Sequence, residues 1–286
     1  SGEVKVTMTL SLKGSSRLSL VATRSQLEKL ISSGDASSAA KVSTDLLAIV
    51  TVLDSSIALR RALTDFARDA ASKVELSKSV FNSIQSGNAF TLLSTMVGLR
   101  WSSPRDLADV IELLGVEAAT VAVEKSSQLD QLESELFSFS QIVKKNPELR
   151  ATFALRSNSE IKKSALVSSL LSGKALAATI ELISFLADHP RGRNLESGLA
   201  EFADIISARK ARLIAHVVSA NPLTSEQASR LTSALTKMMG HEIRVNVSIE
   251  KEVVGGLSIR IADELIDGTL IARLAQADRL LAGKSA

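Results

Sequence analysis

Residues 211–283 read ARLIAHVVSANPLTSEQASRLTSALTKMMGHEIRVNVSIEKEVVGGLSIRIADELIDGTLIARLAQADRLLAG, and they set the architecture of the last quarter of the chain. The short apolar run from Leu213 to Ser219 predicts a buried strand, which Asn221-Pro222 ends. From Glu226 to Met239 the apolar residues recur at helical spacing, and Gly240 is a natural stop for that helix.

The rest of this stretch predicts two more strands and a final helix. Residues Ile243 to Ile249 alternate between apolar and polar, which is typical of a strand with one wet face. Gly255-Gly256 bends the chain back into the alternating run from Leu257 to Ile261. After a second turn at Asp267-Gly268, apolar residues at helical spacing predict the final helix. Together these elements predict a small α/β module.

The composition of the whole chain excludes several classes of protein. With 286 residues, 45% of them apolar and 23% charged, the chain suits two or three globular domains and is too ordinary to be disordered. The absence of cysteine excludes a disulfide framework and thiolate metal sites. The longest apolar stretches, such as Leu46 to Leu53, are broken by polar residues such as Thr51 and are far shorter than the roughly twenty residues that cross a bilayer. We therefore expect membrane association only through partners.

Residues 17 to 206 are predicted to be helical and to contain an internal repeat. The region is rich in Ala, Leu, Ser, Glu and Lys, and few prolines interrupt it. A shift of 90 residues lays Leu59-Arg60 on Leu149-Arg150, and a shift of 88 lays Arg105-Asp106-Leu107 on Arg193-Asn194-Leu195. A period this long predicts two folded bundles in tandem, because a solenoid has much shorter repeats.

The predicted fold is mostly α, with two tandem helical bundles from a duplication, followed by a small α/β C-terminal module. The boundaries assign residues 1–16 to an N-terminal tail, 17–111 to a first bundle, 112–206 to a second bundle and 207–286 to the C-terminal module. We call residues 17–111 the first copy and residues 112–206 the second copy.

Three motifs follow one another in the C-terminal module: Ser219-Ala220-x-Pro222-Leu223, Gly255-Gly256-Leu257 and Asp263-x-x-Ile266-Asp267-Gly268-Thr269. Together they resemble the delta subunit of F-type ATP synthases, whose mitochondrial counterpart is the oligomycin-sensitivity-conferring protein. Thr269 departs from the family, which more often has Ser there. Either residue can cap the helix that follows, so this difference does not weaken the resemblance.

The second copy carries further motifs: Ala118-Ala119-x-x-Ala122-Val123, Lys144-Lys145-Asn146-Pro147-Glu148-Leu149 and Arg193-Asn194-Leu195. They are similar to the N-terminal helical domain of the same family, so residues 112–286 resemble an ordinary delta subunit and the first copy is an addition. The long delta subunits of actinobacteria are similar in carrying extra helical sequence. In mycobacteria that sequence is fused to a membrane-anchored b subunit, whereas here we expect a free-standing long form.

No arrangement of residues in the sequence points to catalysis, a cofactor or a metal ion. Gly283-Lys284-Ser285 lacks the first glycine and the following helix of a phosphate-binding loop. The acidic residues near the turn at Asp267 lack the further oxygen ligands of a cation site. The three histidines lie at no metal-ligand spacing from one another: His189, His216 and His241. We predict a protein that is not an enzyme.

The resemblance implies a mechanical role in proton-driven ATP synthesis. In the family, the helical domain receives N-terminal helices of the alpha subunits of the catalytic head, and the C-terminal module contacts the b-type subunits of the peripheral stalk. The chain is therefore expected to be a stator subunit. It is expected at the cytoplasmic face of the bacterial cell membrane, as a peripheral protein held there by the complex.

Two sets of apolar residues at helical spacing are the candidate partner-binding sites. The first set lines a predicted groove for an alpha-subunit helix, and each member is also a candidate for the bundle's own core: Val116, Ala119, Val123, Leu176, Ile180, Ile183 and Leu186. The second set is a stripe on the final helix, with more apolar positions than packing on a small sheet requires. We predict that it contacts a b-type subunit: Leu270, Ile271, Leu274, Leu280 and Leu281.

Other functions and roles stay open. The net charge of +3 suits a helical nucleic-acid-binding or scaffold protein, but the basic residues are not clustered, so no nucleic acid is expected as a partner. An enzyme with a site assembled across domains is a further alternative. The first copy could bind a second alpha helix, replace part of a b subunit, or stiffen the stalk. We favour the last two roles because the second copy keeps the connection to the C-terminal module.

Overall fold

The computed structural model describes residues 12–85, 87–154, 163–212, 214–219, 222–239, 243–249, 257–261 and 264–267. Contacts divide the chain into two compact units, Ser1–Ser207 and Ala208–Ala286. The described part of the first unit is helical, and that of the second contains a sheet and a helix. The predicted mostly α fold with a small α/β C-terminal module is therefore confirmed.

The helices of the first unit follow one another with short connections, and a 3-10 turn at Asn82–Ile84 precedes the fifth. The last helix runs on into the second unit. In chain order they are α1 (Ser15–Ser32), α2 (Ala36–Ser55), α3 (Ile57–Thr64), α4 (Ala70–Val80), α5 (Asn88–Gly98), α6 (Pro104–Lys125), α7 (Leu129–Lys145), α8 (Pro147–Ala154), α9 (Lys163–Leu171), α10 (Ala177–Asp188) and α11 (Leu195–Arg212).

Local sequence signals set the starts of several helices. At the start of α2, Asp35 accepts a hydrogen bond from the backbone amide of Ser38 at 2.7 Å. At the start of α6, the Ser103 hydroxyl accepts one from the amide of Arg105. Pro104 then occupies a position where its missing amide hydrogen costs nothing. These caps satisfy amides that have no partner inside the helix.

The helices recur in order with a period of about 90 residues. Helices α1 to α6 correspond to α6 to α11, and each begins 89 to 93 residues after its counterpart. This order matches the internal repeat in the sequence. Helix α6 has a double position, because it is the sixth helix of the first copy and the first helix of the second.

The predicted boundary between the two bundles, at residues 111 and 112, falls inside α6. The helix is continuous there, and every residue from 110 to 123 is buried. The two copies are therefore fused through a shared helix and are not joined by a linker, and their contacts group them in one compact unit. Sequence spacing locates a repeat, but it does not show whether neighbouring repeats share an element.

The core of the first unit is built around α6. Helix α2 lies along α6 in the most extensive helix contact of the unit. Gly115 permits this approach, because a Cβ atom at that position would stand 3.0 Å from Cδ2 of Leu47. Helices α1 and α3 of the first copy and α7 and α10 of the second also pack against α6.

Helix α2 is also long and apolar enough to cross a bilayer by length and composition, which the length of its apolar stretch from Leu46 to Leu53 did not predict. It has 20 residues and a mean hydropathy of 1.4, and half of that apolar stretch is buried within the protein. It also carries the charged pair Lys41 and Asp45. A core helix of a helical bundle has these same properties.

The second unit contains a four-stranded sheet and one described helix. Strand β1 is parallel to β2 and antiparallel to β3, and β3 is antiparallel to β4, so the order is β2-β1-β3-β4. Strand β4 was not predicted, because the sequence around it indicated a turn. The elements are β1 (Ile214–Ser219), α12 (Ser225–Met239), β2 (Arg244–Ile249), β3 (Leu257–Ile261) and β4 (Glu264–Asp267).

The second unit has a core of its own. Ala215 and Val217 of β1 are fully buried, as is Ile259 of β3. Leu231 and Leu235 of α12 pack against the same cluster. Burial alternates along β1 and is strongest at Ile259 and Ile261 of β3, so one side of the sheet packs against α12. The predicted final helix, after Gly268, lies outside the described residues.

Candidate partner-binding surfaces

The predicted groove for an alpha-subunit helix lies mostly in the interior of the first unit. On α6 the exposed fractions are 0% for Val116, 2% for Ala119 and 6% for Val123, and on α10 Ile183 and Leu186 are fully buried. The two remaining members of the set, Leu176 and Ile180, are half-buried. Five of the seven residues are therefore part of the bundle's own core, which was the alternative role predicted for them.

Helix α11 contributes to this burial. Gly198 lies so close to Leu186 that a Cβ atom on the glycine would stand 2.5 Å from a methyl group of the leucine. Leu186 is therefore enclosed between α10 and α11. Leu186 is thus part of the bundle's own core, and the binding of an alpha-subunit helix by this set of residues stays a prediction.

A buried ion-pair cluster joins the two copies beside α6. At its centre is Arg191, in the connection between α10 and α11, with a side chain only 6% exposed. Its guanidinium pairs with Asp54 of α2 at 2.9 Å, with Asp109 of α6 at 2.7 Å, and with Glu112 of α6. One cation of the second copy thus ties α2 of the first copy to the shared helix.

The cluster extends on both sides of Arg191 and is electrically balanced. Arg193 pairs with Glu112 and, at 2.6 Å, with Glu201 of α11. Two more arginines contact its outer carboxylates at 3.7 Å. We call the following eight residues, four cations and four anions, the Arg191 cluster: Asp54, Arg60, Arg105, Asp109, Glu112, Arg191, Arg193 and Glu201.

Burial and charge act in opposite directions on the pKa values of this cluster. Burial raises the pKa of Asp109, and the attraction of Arg191 and Arg105 only partly offsets it. Burial disfavours the Arg193 cation as well, but the charge of Glu112 and the hydrogen bonds from Arg193 to Glu112 and Glu201 outweigh it and raise its pKa. The pairing therefore compensates for removing the Arg193 charge from water, but only in part for removing the charge of Asp109.

The backbone at Arg191 shows that the site is held by its surroundings. Its φ angle is 53°, in the left-handed region that side chains with a Cβ atom rarely adopt. The ion pairs and a hydrogen bond from the guanidinium to the Ala108 carbonyl hold the residue there. Arg193 belongs to one of the motifs predicted from the sequence, whereas Arg191 belongs to none of them. The sequence Pro190-Arg191-Gly192 indicates a turn, but a turn motif does not reveal which distant residues Arg191 contacts.

A second acidic site, which is only partly buried, lies between α10 and α2. Glu181 of α10 accepts a hydrogen bond from Thr44 and lies near the buried Asp45. Burial raises the pKa of the Glu181 carboxyl, the hydrogen bond opposes this, and the charge of Asp45 raises the pKa further. The contact between the copies therefore includes two carboxyl groups that repel each other when both are ionised.

Replacing Glu181 with Gln should stabilise the protein at neutral pH and lose that effect in acid. Above the raised pKa, the folded state holds an unfavourable charge. Below the ordinary value of 4.5, both the folded and the unfolded states are protonated and the penalty disappears. Urea denaturation should show a gain of up to about 1 kcal/mol at pH 7, since the site is only partly shielded from solvent, and less at pH 4. Glu148→Gln, at an exposed site, is the control, and a gain that does not shrink in acid would contradict the prediction.

Several large apolar side chains of the first unit are exposed. Leu18 and Val21 of α1 are 74% and 63% exposed, and Phe137 of α7 is 62% exposed. Phe66, between α3 and α4, is 87% exposed, and Ile57 at the start of α3 is 59% exposed. Leu18 and Val21 are one helical turn apart, so they form a patch on the surface of α1.

Two further groups of residues were named from the sequence, the C-terminal stripe and the histidines. The five residues of the predicted b-binding stripe lie outside the described residues. His216 is exposed on β1, and His189 contacts Thr51 of the first copy at 3.2 Å. Within the described ranges, no group of three or more His, Cys, Asp or Glu side chains could hold a metal ion.

The chain is similar to known proteins over most of its length. Residues 116–281 match the family described as ATP synthase delta (OSCP) subunit. The chain is 40% identical over 272 residues to ATP synthase subunit delta of Thermobifida fusca and 38% identical over 272 residues to that of Streptomyces griseus subsp. griseus. Both alignments cover 95% of this chain and 100% of the relative.

The extent of these matches includes the first copy. The family match begins at residue 116, inside α6, whereas the relatives align with nearly the whole chain. The relatives therefore also have sequence ahead of the ordinary delta region, and the predicted resemblance to the long actinobacterial form is confirmed. This chain belongs to the ATP synthase delta (OSCP) subunit family.

Proposed function

We propose that this chain is a non-catalytic subunit of the peripheral stalk of an F-type ATP synthase. In this role it ties the alpha subunits of the catalytic head to the b-type subunits, so that the head does not turn with the rotor. The observation that carries the proposal is the match to proteins named ATP synthase subunit delta over 95% of this chain. A subunit of this kind acts by binding and by mechanical resistance.

The construction of the first unit supports a mechanical role. A stator subunit must transmit torque without internal hinges, and a linker between two bundles would be a hinge. Here α6 runs through both copies, and the Arg191 cluster connects α2, α6 and α11 around it. Because Arg191 pairs with carboxylates of both α2 and α6 and donates a hydrogen bond to the Ala108 carbonyl, separating the copies would break all of these contacts at once.

The surface of α2 supports a peripheral location. This helix is apolar enough to be considered for a membrane span, yet it lies along α6 and buries its apolar residues inside the unit. We therefore place the chain at the cytoplasmic face of the bacterial cell membrane, where it is held by the b-type subunits. The contact with these subunits is assigned to the apolar stripe of residues 270–281.

Co-purification from native membranes tests the proposal. The tagged full-length chain is purified in mild detergent, and the alpha and b subunits should be recovered with it in constant proportion. A chain that ends at Gly268 is the matched variant, since it lacks the stripe proposed to bind b. It should keep the head subunits in a direct binding assay and lose b. Recovery of the full-length chain alone would refute the stator role.

A further inference from the structure

A corner between α2 and α6 of the first copy is filled by the connection from α10 to α11 of the second copy. His189 of this connection contacts the Thr51 hydroxyl of α2 at 3.2 Å. Arg191 pairs with Asp54 of α2 at 2.9 Å and with Asp109 of α6 at 2.7 Å. At this corner, the first copy therefore binds a cation from a polypeptide segment that lies outside the copy.

The equivalent corner of the second copy is a cavity. Because α2 and α6 correspond to α7 and α11 in the repeat, the equivalent corner lies between α7 and the start of α11. A cavity of about 850 Å³ lies there. The shift of 90 residues lays Thr51 on Gln141 and Asp54 on Lys144, and both of these equivalents line the cavity. The position that Arg191 fills in the first copy is thus open in the second.

The charge of the corner is reversed between the copies. Lys144 takes the place of Asp54. Asp109 and Glu112 have neutral equivalents, whether α6 is laid on α11 by the 88-residue shift of the shared motif or by the 91-residue shift between the helix starts. These equivalents are small residues: Ser197, Ala200 and Ala203. The three carboxylates that hold Arg191 therefore correspond to one cation and two neutral residues.

Cations outnumber anions in the wall of this cavity, four to two. The charged residues of the wall are Lys144, Arg150, Lys163 and Arg193, with Asp188 and Glu196. Arg150 and Glu196 pair with each other at 2.7 Å, and Arg193 pairs with two carboxylates of the Arg191 cluster. The ammonium group of Lys144, which is exposed, forms no ion pair with any described residue. An occupant that places a carboxylate beside Lys144 gains an ion pair and offsets the excess of positive charge.

From this correspondence we infer that the cavity receives an acidic loop of the catalytic head, whose carboxylate pairs with Lys144 as Arg191 pairs with Asp54 in the first copy. A loop suits the site better than a small ion, because the equivalent corner holds a polypeptide segment and the volume exceeds that of a single inorganic anion. Phe153 and Leu195 also line the cavity, so an apolar residue beside the carboxylate fits there. The inference rests on the proposed function, in which the helical unit holds the head.

The variant Lys144→Glu tests the inference in the full-length chain. Its affinity for the purified catalytic head should be about 5- to 10-fold weaker than that of the unchanged protein, because a repulsion replaces an attraction at a partly exposed site. The matched control is Lys145→Glu, which makes the same change of charge at the next residue of α7. Lys145 is exposed and does not line the cavity, so this control should bind within about 2-fold of the unchanged protein.

The salt dependence of binding distinguishes a charged contact from a change in the fold of the variant. The loss of affinity in Lys144→Glu should shrink between about 50 mM and about 500 mM NaCl, because the screening length falls about threefold over this range. A loss of the same size at both salt concentrations would refute the ion pair. Circular dichroism of both variants should match that of the unchanged protein, since both lysines are exposed.

The remaining outcomes separate this inference from the proposed function. If the unchanged chain binds neither the head nor the b subunits, the proposed function fails. If the unchanged chain and Lys144→Glu bind the head equally well, the contact at the cavity is refuted and the stator role stands. Calorimetric titration of the unchanged chain with inorganic phosphate tests for a small ligand. Saturable binding that Lys144→Glu abolishes would assign the cavity to a small anion and refute the acidic loop.

Discussion

Replacing Arg191 with Met is expected to lower the free energy of unfolding of the helical unit by about 3–5 kcal/mol. The side chain is 6% exposed and pairs with Asp54, Asp109 and Glu112. Methionine fills much of the volume but leaves these carboxylates without their cation. Removing one partner of a buried pair is more damaging than never having had the pair, because the remaining charge stays desolvated.

The measurement is urea denaturation at pH 7 followed by circular dichroism at 222 nm. Arg150→Met is the matched control, since Arg150 forms a single pair with Glu196 at 2.7 Å while its side chain is 49% exposed. That substitution should cost less than about 1 kcal/mol. A loss below about 1 kcal/mol for Arg191→Met as well would show that the cluster contributes nothing beyond a surface ion pair.

Replacing Leu182 with Ala should destabilise both copies together by about 2–5 kcal/mol. Leu182 lies on α10 in the second copy and is fully buried. The chain has a single tryptophan, Trp101, which lies in the first copy and donates a hydrogen bond to the Met96 carbonyl at 2.9 Å. Because both copies share α6, tryptophan fluorescence should report the same loss of stability as circular dichroism, although the probe and the substitution lie in different copies.

The control for this prediction is Leu231→Ala, which removes a core side chain of comparable size from the second unit. Since that unit has a core of its own, the midpoint of the fluorescence transition at Trp101 should not move. A fluorescence midpoint that stays unchanged in Leu182→Ala would mean that the copies unfold separately, as two tandem bundles joined at α6.

Local patterns in the sequence were sufficient to predict most helices and strands, because these elements depend on residues that are close together in the chain. A short apolar run located β1, the alternation of apolar and polar residues located β2 and β3, and Gly240 marked the end of the helix between β1 and β2. The repeat was visible because two copies of a helical domain keep their spacing even when their side chains diverge. Family motifs such as Arg193-Asn194-Leu195 were also recognisable, because each consists of residues that are close together in the chain.

Helix α6 shows why the domain arrangement was not predictable in the same way. A helix with one polar face signals which side is buried, but α6 is buried on all sides from residue 110 to residue 123 and carries no such signal there. Its pattern is equally compatible with a helix at the end of one bundle or at the start of the next. The shared position becomes visible only when both copies are packed around it.

The capping of α10 is a second feature that the local sequence did not predict. Its N-cap residue, Leu176, has no side-chain oxygen to offer the helix. Glu135 of α7 supplies one, accepting hydrogen bonds from the amide of Leu176 at 3.0 Å and from the Thr179 hydroxyl. These residues are 41 positions apart, so no short-range capping rule could identify the pair.

The sequence by itself determined the helical and α/β character of the two regions, the 90-residue repeat and the family, since all of these depend on periodicity and local motifs. Only the tertiary structure decided that the copies share α6, that five of the seven predicted groove residues are buried in the core, and that Arg191 joins the copies. The physical reason is that burial and ion pairing depend on which distant surfaces meet. Asp54 and Lys144 occupy equivalent positions in the repeat, and only packing places the first against Arg191 and the second beside a cavity.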